Sequence, residues 1–359
     1  MNASRLWTIA RLDLTQRIRT ISWYVLLGVF AVVLVGTTAL SFLSFSYLDD
    51  SGPGVYSVVV LVTLLLIVLV SPTLSGNSIN GDRDAATLAP LQVTQATTTE
   101  IVLGKFLAAW LTGLTFAAVA VPFLVIATFG GGVEPITVLA STAILVAETG
   151  VVAAFGTALS GVLARPLFSV AATYLVVAAL TIGTPIAFGL IGSSIASERT
   201  ERYLTAQYDP TTGAPVCEDG TTNCASDLSQ QVCEEEGPPT TSRIPRFDYV
   251  WWILAANPFV ILADATPSGF TVDGYPDDLF GQTKYAVRQA QVAPDLDYVY
   301  DECDPEQNGP TAEEIVASTV PSWFIGLGGQ VIVATLLLWW AVSRTRTPAR
   351  RLPPGTRIA

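Results

Sequence analysis

Charged residues interrupt the apolar sequence most clearly between residues 75 and 105, a stretch we call the polar loop. Its candidate docking residues are Asp82, Arg83, Asp84, Thr87, Leu88 and Leu91. Charged residues followed by apolar ones at helical spacing predict a short amphipathic helix over 82–91. Such a helix would form ion pairs and dock to a partner rather than catalyse a reaction. Thr97 and Glu100 fit a capping box, which predicts a second helix from Thr97.

A single carboxylate stands in the middle of an apolar run. Glu148 lies in the sequence LVAETGVVAAFG. A carboxylate at the centre of a bilayer costs several kcal/mol and normally faces a bundle interior or a wet cavity. Glu148 could therefore line a translocation path. It could equally be protonated, or bonded to a neighbouring helix as a structural contact, and the sequence leaves these interpretations open.

All the cysteines fall between the fifth and sixth apolar runs. They are Cys217, Cys224, Cys233 and Cys303. An even number confined to an exported segment predicts two disulfides, with three possible pairings. The alternative, a reduced zinc site, fits less well because the spacings are not of the CxxC type and the chain has no histidine. We therefore expect disulfides and no metal.

Several classes of enzyme are excluded by residue types that the sequence lacks. No GxxxxGK[ST] phosphate loop occurs, so this chain does not hydrolyse nucleotide by that route. Without histidine, HExxH metal sites and Ser-His-Asp or Cys-His arrangements are impossible. We expect a chain that is not an enzyme, binds no cofactor of its own and does not bind nucleic acid.

The elements that carry these residues are apolar helices. Of 359 residues, 51% are hydrophobic and 13% are charged, a balance typical of membrane proteins. Six runs reach the length of about 20 residues that spans a bilayer: 23–45, 55–74, 106–129, 136–160, 167–191 and 322–342. The expected fold class is an all-α polytopic membrane protein with six transmembrane helices.

Basic residues orient these helices, because Lys and Arg near span ends stay in the cytoplasm. The short loops 46–54 and 130–135 contain no basic residue, whereas the polar loop and both termini do. We expect both termini and the polar loop in the cytoplasm of a cell whose plasma membrane the chain crosses. Residues 193–320 would then form a large extracellular insert that holds the disulfides.

The remaining segments complete the expected organisation. Residues 1–22 are predicted to form an amphipathic interfacial helix with an apolar face of Trp7, Ala10, Leu14, Ile18 and Ile21. Residues 247–265 are apolar but too short to cross, which favours a re-entrant or interfacial segment over a soluble core element. The expected divisions are 1–22, helices one to five in 23–192, the insert 193–320, helix six in 321–343 and a basic cytoplasmic tail 344–359.

The polar loop resembles the stretch after the second span of ABC-2 type permeases, the membrane subunits of ATP-driven exporters. Asp82, Arg83 and Asp84 match the family's charged cluster, Thr87 and Leu88 its Thr-Leu, and 100–105 its Glu-Ile-Val-Leu-Gly-Lys block. Residues 257–259, Asn-Pro-Phe, followed by Ala263 and Asp264, also resemble the family's segment before the last span.

This resemblance implies a function. Residues 82–91 would be a coupling helix that docks on a separate ATP-binding subunit, which holds the ATP and Mg. Two permease chains, identical or paralogous, would face each other to form the path. Two alternatives stay open: an ion-coupled secondary transporter or channel, which needs intramembrane ion-binding groups, and a non-transporting assembly or sensor component. No residue indicates the substrate.

Overall fold

The structure is a computed structural model that describes residues 2–46, 50–85, 96–218, 220–221, 224, 230–271, 274–304 and 309–346. Three predicted docking residues, Thr87, Leu88 and Leu91, lie outside these ranges. So does the basic tail from residue 347 onward. The predictions that concern them remain predictions.

Among the described residues, six helical segments are long and apolar enough to cross a membrane. This confirms the six predicted runs and indicates a multi-pass membrane protein. Their helices are α2 Ile21–Ser44, α3 Gly52–Ser75, α5 Thr98–Thr128, α6 Pro135–Val162, α7 Pro166–Ala178 continued by α8 Thr184–Ser194, and α13 Trp323–Thr345. Proline opens α6 and α7, where its missing N–H leaves no intrahelical hydrogen bond unmade.

Helices α3 and α6 form the centre of the bundle, because 61% of the residues in the most apolar part of each one are buried. Small residues allow their close approach: a Cβ atom added at Gly156 of α6 would overlap the Ser75 side chain of α3. On the other side of α3, Phe116 of α5 packs against Trp23 and Phe30 of α2, with ring centroids 5.2 Å apart in both pairs. The bundle therefore has two buried central helices and a more exposed periphery.

Helix α7 is joined to α8 by a π-helical segment, Ala179–Gly183. A π-helical turn shifts the hydrogen-bond ladder and releases a backbone carbonyl for other contacts. Here the Thr181 carbonyl accepts a hydrogen bond from the Asn257 side chain, at 2.9 Å. The predicted fifth span is thus continuous but irregular at its middle.

Helix α1, Ala3–Ile18, precedes the bundle and packs against α5. Its buried residues are Ile9 and Ala10, while Trp7 and Ile18 are about half exposed. Ala10 therefore packs inward although the sequence placed it on the same apolar face as Trp7 and Ile18. The predicted helix is present. Its buried face contains Ile9 and Ala10, and the larger apolar side chains Trp7 and Ile18 stay partly exposed.

The polar loop and the insert lie at opposite ends of the bundle. Near the polar loop, Ile79, Ile101 and Ala341 share one apolar cluster, which places the ends of α3 and α13 beside the start of α5. At the other end, Leu279 N donates to Ser57 Oγ at 3.2 Å, near the start of α3. Thr137 Oγ1 donates to the Pro267 carbonyl at 3.1 Å, near the start of α6.

The insert contains a sheet that the all-α prediction did not include. Its described strands are β1 Ala196–Ala206, β2 Cys233–Glu235, β3 Thr240–Pro245 and β4 Asp297–Asp301. β1 pairs antiparallel with β2 and β3 and parallel with β4. The all-α class is therefore wrong for this segment, because a polar strand such as ASERTERYLTA lacks the long apolar runs from which the helices were predicted.

Two disulfides occur in the insert, as predicted. Cys217 bonds Cys224, and Cys233 bonds Cys303. The second links β2 to the residues that follow β4, across 70 positions of sequence. These bonds decide among the three pairings and leave no thiol for the alternative zinc site.

Short helices complete the insert. They are α9 Trp252–Ala255, α10 Pro258–Ala265, α11 Leu279–Gln289 and α12 Ala312–Ser318.

Outside the insert, a short α4, Asn80–Asp84, follows α3 in the polar loop. In the insert, the chain breaks between α9 and α10 at Asn257, whose side chain caps α10 by accepting from Phe259 N at 2.9 Å.

Candidate functional site

A lysine and two carboxylates from three different helices meet at the end of the bundle that carries the polar loop. Lys105 Nζ of α5 lies 2.6 Å from Asp82 Oδ2 of α4 and 3.5 Å from Asp13 Oδ1 of α1. Arg17 binds the other oxygen of Asp13 at 3.0 Å. We call Asp13, Arg17, Asp82 and Lys105 the charged junction. It joins the first part of the polar loop to two helices by electrostatic contacts.

Burial gives the charged junction its strength. The Lys105 side chain is 5% exposed, Asp13 14% and Asp82 21%. Removing one partner of a buried ion pair leaves an uncompensated charge and costs about 3–5 kcal/mol. Partial exposure of Asp82 lets water screen the pair, so we expect about 2 kcal/mol here. The Lys105–Asp82 ion pair therefore stabilises the contact between α4 and α5.

Arg83 attaches α4 to a second element. Its guanidinium donates to the Gly161 carbonyl at 3.1 Å and to the Leu163 carbonyl at 3.4 Å, at the C-terminal end of α6. It also donates to Asn80 Oδ1 at 3.0 Å. The last carbonyls of a helix have no intrahelical donors and carry partial negative charge, so an arginine is favoured there. Asp84, next in sequence, is exposed.

Serine hydroxyls fix the backbone that leads into α4. Ser160 Oγ of α6 accepts hydrogen bonds from the Ile79 and Asn80 amides at 3.0 and 3.1 Å. Asn80 Nδ2 donates to Ser169 Oγ of α7 at 3.0 Å, and this hydroxyl donates to the Gly76 carbonyl at 2.6 Å. All these groups are buried. The start of the polar loop is consequently anchored to α6 and α7.

Glu100 connects the start of α5 to the N-terminus of the chain. Its Oε2 accepts from Thr97 N at 2.9 Å, while Thr97 Oγ1 accepts from Glu100 N at 3.3 Å, which completes the capping box. Its Oε1 accepts from Asn2 N at 2.6 Å. One buried carboxylate thus caps α5 and holds the residue that begins α1. Sequence patterning indicated the cap but gave no sign of Asn2.

At the opposite end, Asp264 holds the insert to the last helix. Its Oδ1 binds Arg288 Nε at 2.8 Å. Its Oδ2 accepts from Ser322 N at 2.6 Å, Ser322 Oγ at 2.8 Å and Trp323 N at 3.1 Å, which satisfies donors at the start of α13. Asp264 and Arg288 are buried. The sequence offered Asp264 only through the resemblance and did not indicate Arg288.

Glu148 occupies the middle of α6, fully buried, away from both of these sites. Neither of its carboxylate oxygens has a hydrogen-bond donor among the described residues. It lines a small cavity together with Thr181, Pro258 and Gln330, which we call the mid-helix cavity. Among the described residues, Glu148 thus makes no hydrogen bond to a neighbouring helix, and its roles in a translocation path or as a protonated acid stay predictions. Gln330 was not identified from the sequence.

The predicted site residues thus separate into groups. Asp82, Arg83, Thr97 and Glu100 come together with the ends of α1, α5 and α6. Glu148 lies apart, and the cysteines lie in the insert.

No known protein family model and no curated protein matches this chain.

Proposed function

We propose that this protein is the permease subunit of an ABC-2 type exporter, driven by a separate ATP-binding subunit. The observation that carries the proposal is the Lys105–Asp82 ion pair, at 2.6 Å, between the polar loop and the start of α5. A loop that receives mechanical work must be attached rigidly to the helices that it moves. The charged junction provides such an attachment, and it lies where the coupling helix of that family is expected.

The proposed coupling runs through two routes. A push on residues 82–91 by the ATP-binding subunit would pass through Asp82 and Lys105 into α5 and α1. It would also pass through Arg83 into the C-terminal end of α6. ATP and Mg would bind in the partner subunit, and its closure would switch a pair of permease chains between two states as rigid bodies.

The proposal places the polar loop and both termini in the cytoplasm of a plasma-membrane protein and the insert outside the cell. The opposite positions of the polar loop and the insert on the bundle support this arrangement. The two disulfides also favour an oxidising compartment for the insert. The half-exposed Trp7 and Ile18 of α1 suit a helix at the headgroup level.

A re-entrant path for residues 247–265 belongs to the same proposal. Pro258, at the turn between α9 and α10, lines the mid-helix cavity beside Glu148 at the centre of α6. Asp264, at the far end of α10, contacts the start of α13 instead. The segment would therefore enter the membrane from outside, turn at half depth and return.

A second candidate function is ion-coupled transport without an ATP-binding subunit. One observation favours it, the buried Glu148 with no hydrogen-bond donor among the described residues. Intramembrane carboxylates of this kind are found on proton and ion pathways. The charged junction has no evident purpose in such a transporter, so we rank this candidate second.

The test is co-purification from native membranes in mild detergent. The coupling variant carries Asp82→Ala, Arg83→Ala and Leu88→Ala. A matched control carries Asp297→Ala, Arg202→Ala and Leu296→Ala, which removes the same residue types from an exposed part of the insert. We expect a phosphate-loop ATPase in near-equal amount with the wild type and the control, and its loss from the coupling variant.

Two outcomes would count against the exporter. One is that no ATPase accompanies any of the three chains, which would favour ion-coupled transport or an assembly role. The other is that the ATPase remains with the coupling variant, which would remove the polar loop from the interface.

A further inference from the structure

Glu148 and Gln330 contribute polar oxygens to a cavity that is otherwise mostly apolar. The cavity lies among α3, α6, the α7–α8 helix, α10 and α13. Glu148 is 0% exposed and Gln330 5%. Among the described residues, no donor reaches either carboxylate oxygen of Glu148 or the Oε1 atom of Gln330. Buried polar atoms in native proteins almost always have partners, so a water molecule or an ion bound in the cavity would satisfy these three.

The electrostatics of the cavity limit what the ligand is. Glu148 is the one titratable side chain among the described residues that line it from these five elements. An ionised carboxylate without a counter-charge in a protein interior costs several kcal/mol. The cavity must therefore supply a positive charge to Glu148, either as a proton on the carboxyl group or as a bound cation.

The size of the cavity and the number of its oxygen ligands decide between a proton and a bound metal cation. The volume open to the centre of a water-sized sphere is about 10 Å³, which accommodates about one water molecule. Hard metal cations take about six or more oxygen ligands in proteins. Beyond Glu148 and Gln330, apolar side chains form most of the wall. The cavity therefore suits a proton with one water molecule rather than a metal ion.

We propose that Glu148 and Gln330 form an intramembrane proton-binding site that holds one water molecule beside the protonated carboxyl group. The Glu148 O–H donates to the water, and the water donates to Gln330 Oε1. On release, the O–H bond breaks, the proton passes to water and the carboxylate remains. This site goes beyond the proposed exporter function and names the ion and the binding residues that the second candidate, ion-coupled transport, would need.

Asn257 holds in place the turn that contributes Pro258 to the cavity wall. Its Nδ2 donates to the Thr181 carbonyl at 2.9 Å and to Thr184 Oγ1 at 3.0 Å, which holds the turn before Pro258 against the π-helical segment. Gln330 Nε2 donates to the Ala256 carbonyl at 3.0 Å, from the same turn. A movement of this turn would break both contacts, admit water and allow the proton to exchange. The α9–α10 turn thus forms one wall of the mid-helix cavity through Pro258.

The test is infrared spectroscopy of the purified full-length protein in lipid nanodiscs in D₂O at about pH 7.5, where exposed carboxyl groups are ionised. Wild type is compared with Glu148→Gln, which preserves side-chain size. We expect the wild-type minus variant difference to contain the carbonyl band of one protonated carboxyl group. A difference that contains carboxylate bands instead would overturn the proposal.

Additional variants and salts distinguish a bound proton from a bound sodium ion and test the role of Gln330. Gln330→Leu retains Glu148 and is expected to shift its carbonyl band, because the water loses an acceptor; an unchanged band would remove Gln330 from the site.

Replacing NaCl with choline chloride is expected to leave the carbonyl band unchanged, and a change in that band would assign the site to Na⁺. If Glu148→Gln does not fold, Asp278→Asn removes a second buried acid, the one in the insert whose pKa burial raises to about 7, and should retain the carbonyl band. Its absence there would also overturn the proposal.

Discussion

Lys105 shows at the scale of single residues how the polar loop is held. A buried ammonium group is unfavourable unless opposite charge lies close to it. Here two carboxylates lie close to it, Asp82 from the preceding helix α4 and Asp13 from α1, far earlier in the chain. The charge of Lys105 therefore selects one position of α4 and α1 relative to α5, and losing it should loosen both.

The first prediction concerns the coupling between Lys105 and Asp82. Lys105→Met and Asp82→Asn should each lower the free energy of unfolding by about 2 kcal/mol, and the double variant by clearly less than their sum. Denaturant titration in detergent micelles measures this. Arg202→Met is the control, since its pair with Asp297 is exposed and worth less than about 1 kcal/mol. Additive effects within about 0.5 kcal/mol would contradict the coupling.

The second prediction concerns pH. Burial raises the pKa of Asp278, which caps α11, to about 7. An acid with a raised pKa binds more protons when folded, so the free energy of unfolding should fall as pH rises from about 4 to 7. The slope should approach about 1 kcal/mol per pH unit. Burial also raises the pKa of Asp277, which adds to the trend.

Asp278→Asn keeps the acceptor that caps α11 but cannot ionise, so it should flatten most of this dependence. Thermal unfolding of both chains across that pH range checks the prediction. Equal slopes for wild type and variant would show that Asp278 is not the group responsible.

At the scale of elements, α10 and α11 connect the insert to the bundle through a few buried polar contacts. Asp264 of α10 neutralises Arg288 of α11 and caps the start of α13. Arg288 also donates to the Thr319 carbonyl at 2.7 Å, in the stretch between α12 and α13. One carboxylate therefore fixes the position of three elements.

The third prediction follows from this arrangement. Asp264→Ala leaves the buried Arg288 without its counter-charge and the Ser322 and Trp323 amides without their acceptor, so it should cost about 3–5 kcal/mol. Asp264→Asn retains one acceptor oxygen and should cost less. Limited proteolysis of the insert, together with thermal unfolding, measures both. Asp297→Ala, at an exposed pair, is the control, and an Asp264→Ala chain as stable as this control would refute the role of Asp264.

The sequence allowed some of these elements to be predicted better than others. The six apolar helices and the capping box at Thr97 follow from local patterns, because burial in a bilayer and helix capping depend on neighbouring residues. Some partners could not be predicted, since each lies far along the chain: Asp13 for Lys105, Asn2 for Glu100 and Ser322 for Asp264. The strands of the insert were missed because polar strands have little distinctive pattern, and the disulfide pairing depended on how those strands align.

At the scale of the whole molecule, the two ends of the helix bundle carry different chemistry. The end with the polar loop has a lysine and arginines set between helix termini, whereas the opposite end has a disulfide-bonded insert. Between them lies the mid-helix cavity with Glu148. In the proposed exporter, the ATP-binding subunit would push on the end with the charged junction, and the translocation path would open at the end with the insert. The positions of the charged junction and the insert at opposite ends of the bundle fit that function.

The most direct test of the exporter function is site-specific photo-crosslinking in native membranes. A photo-reactive amino acid replaces Asp84, which is exposed beside the charged junction, or Asp297, which is exposed in the insert. We predict that position 84 crosslinks to a phosphate-loop ATPase and that position 297 does not. If position 84 gives no ATPase adduct, or both positions give the same adducts, the polar loop is not a coupling element and the exporter function is contradicted.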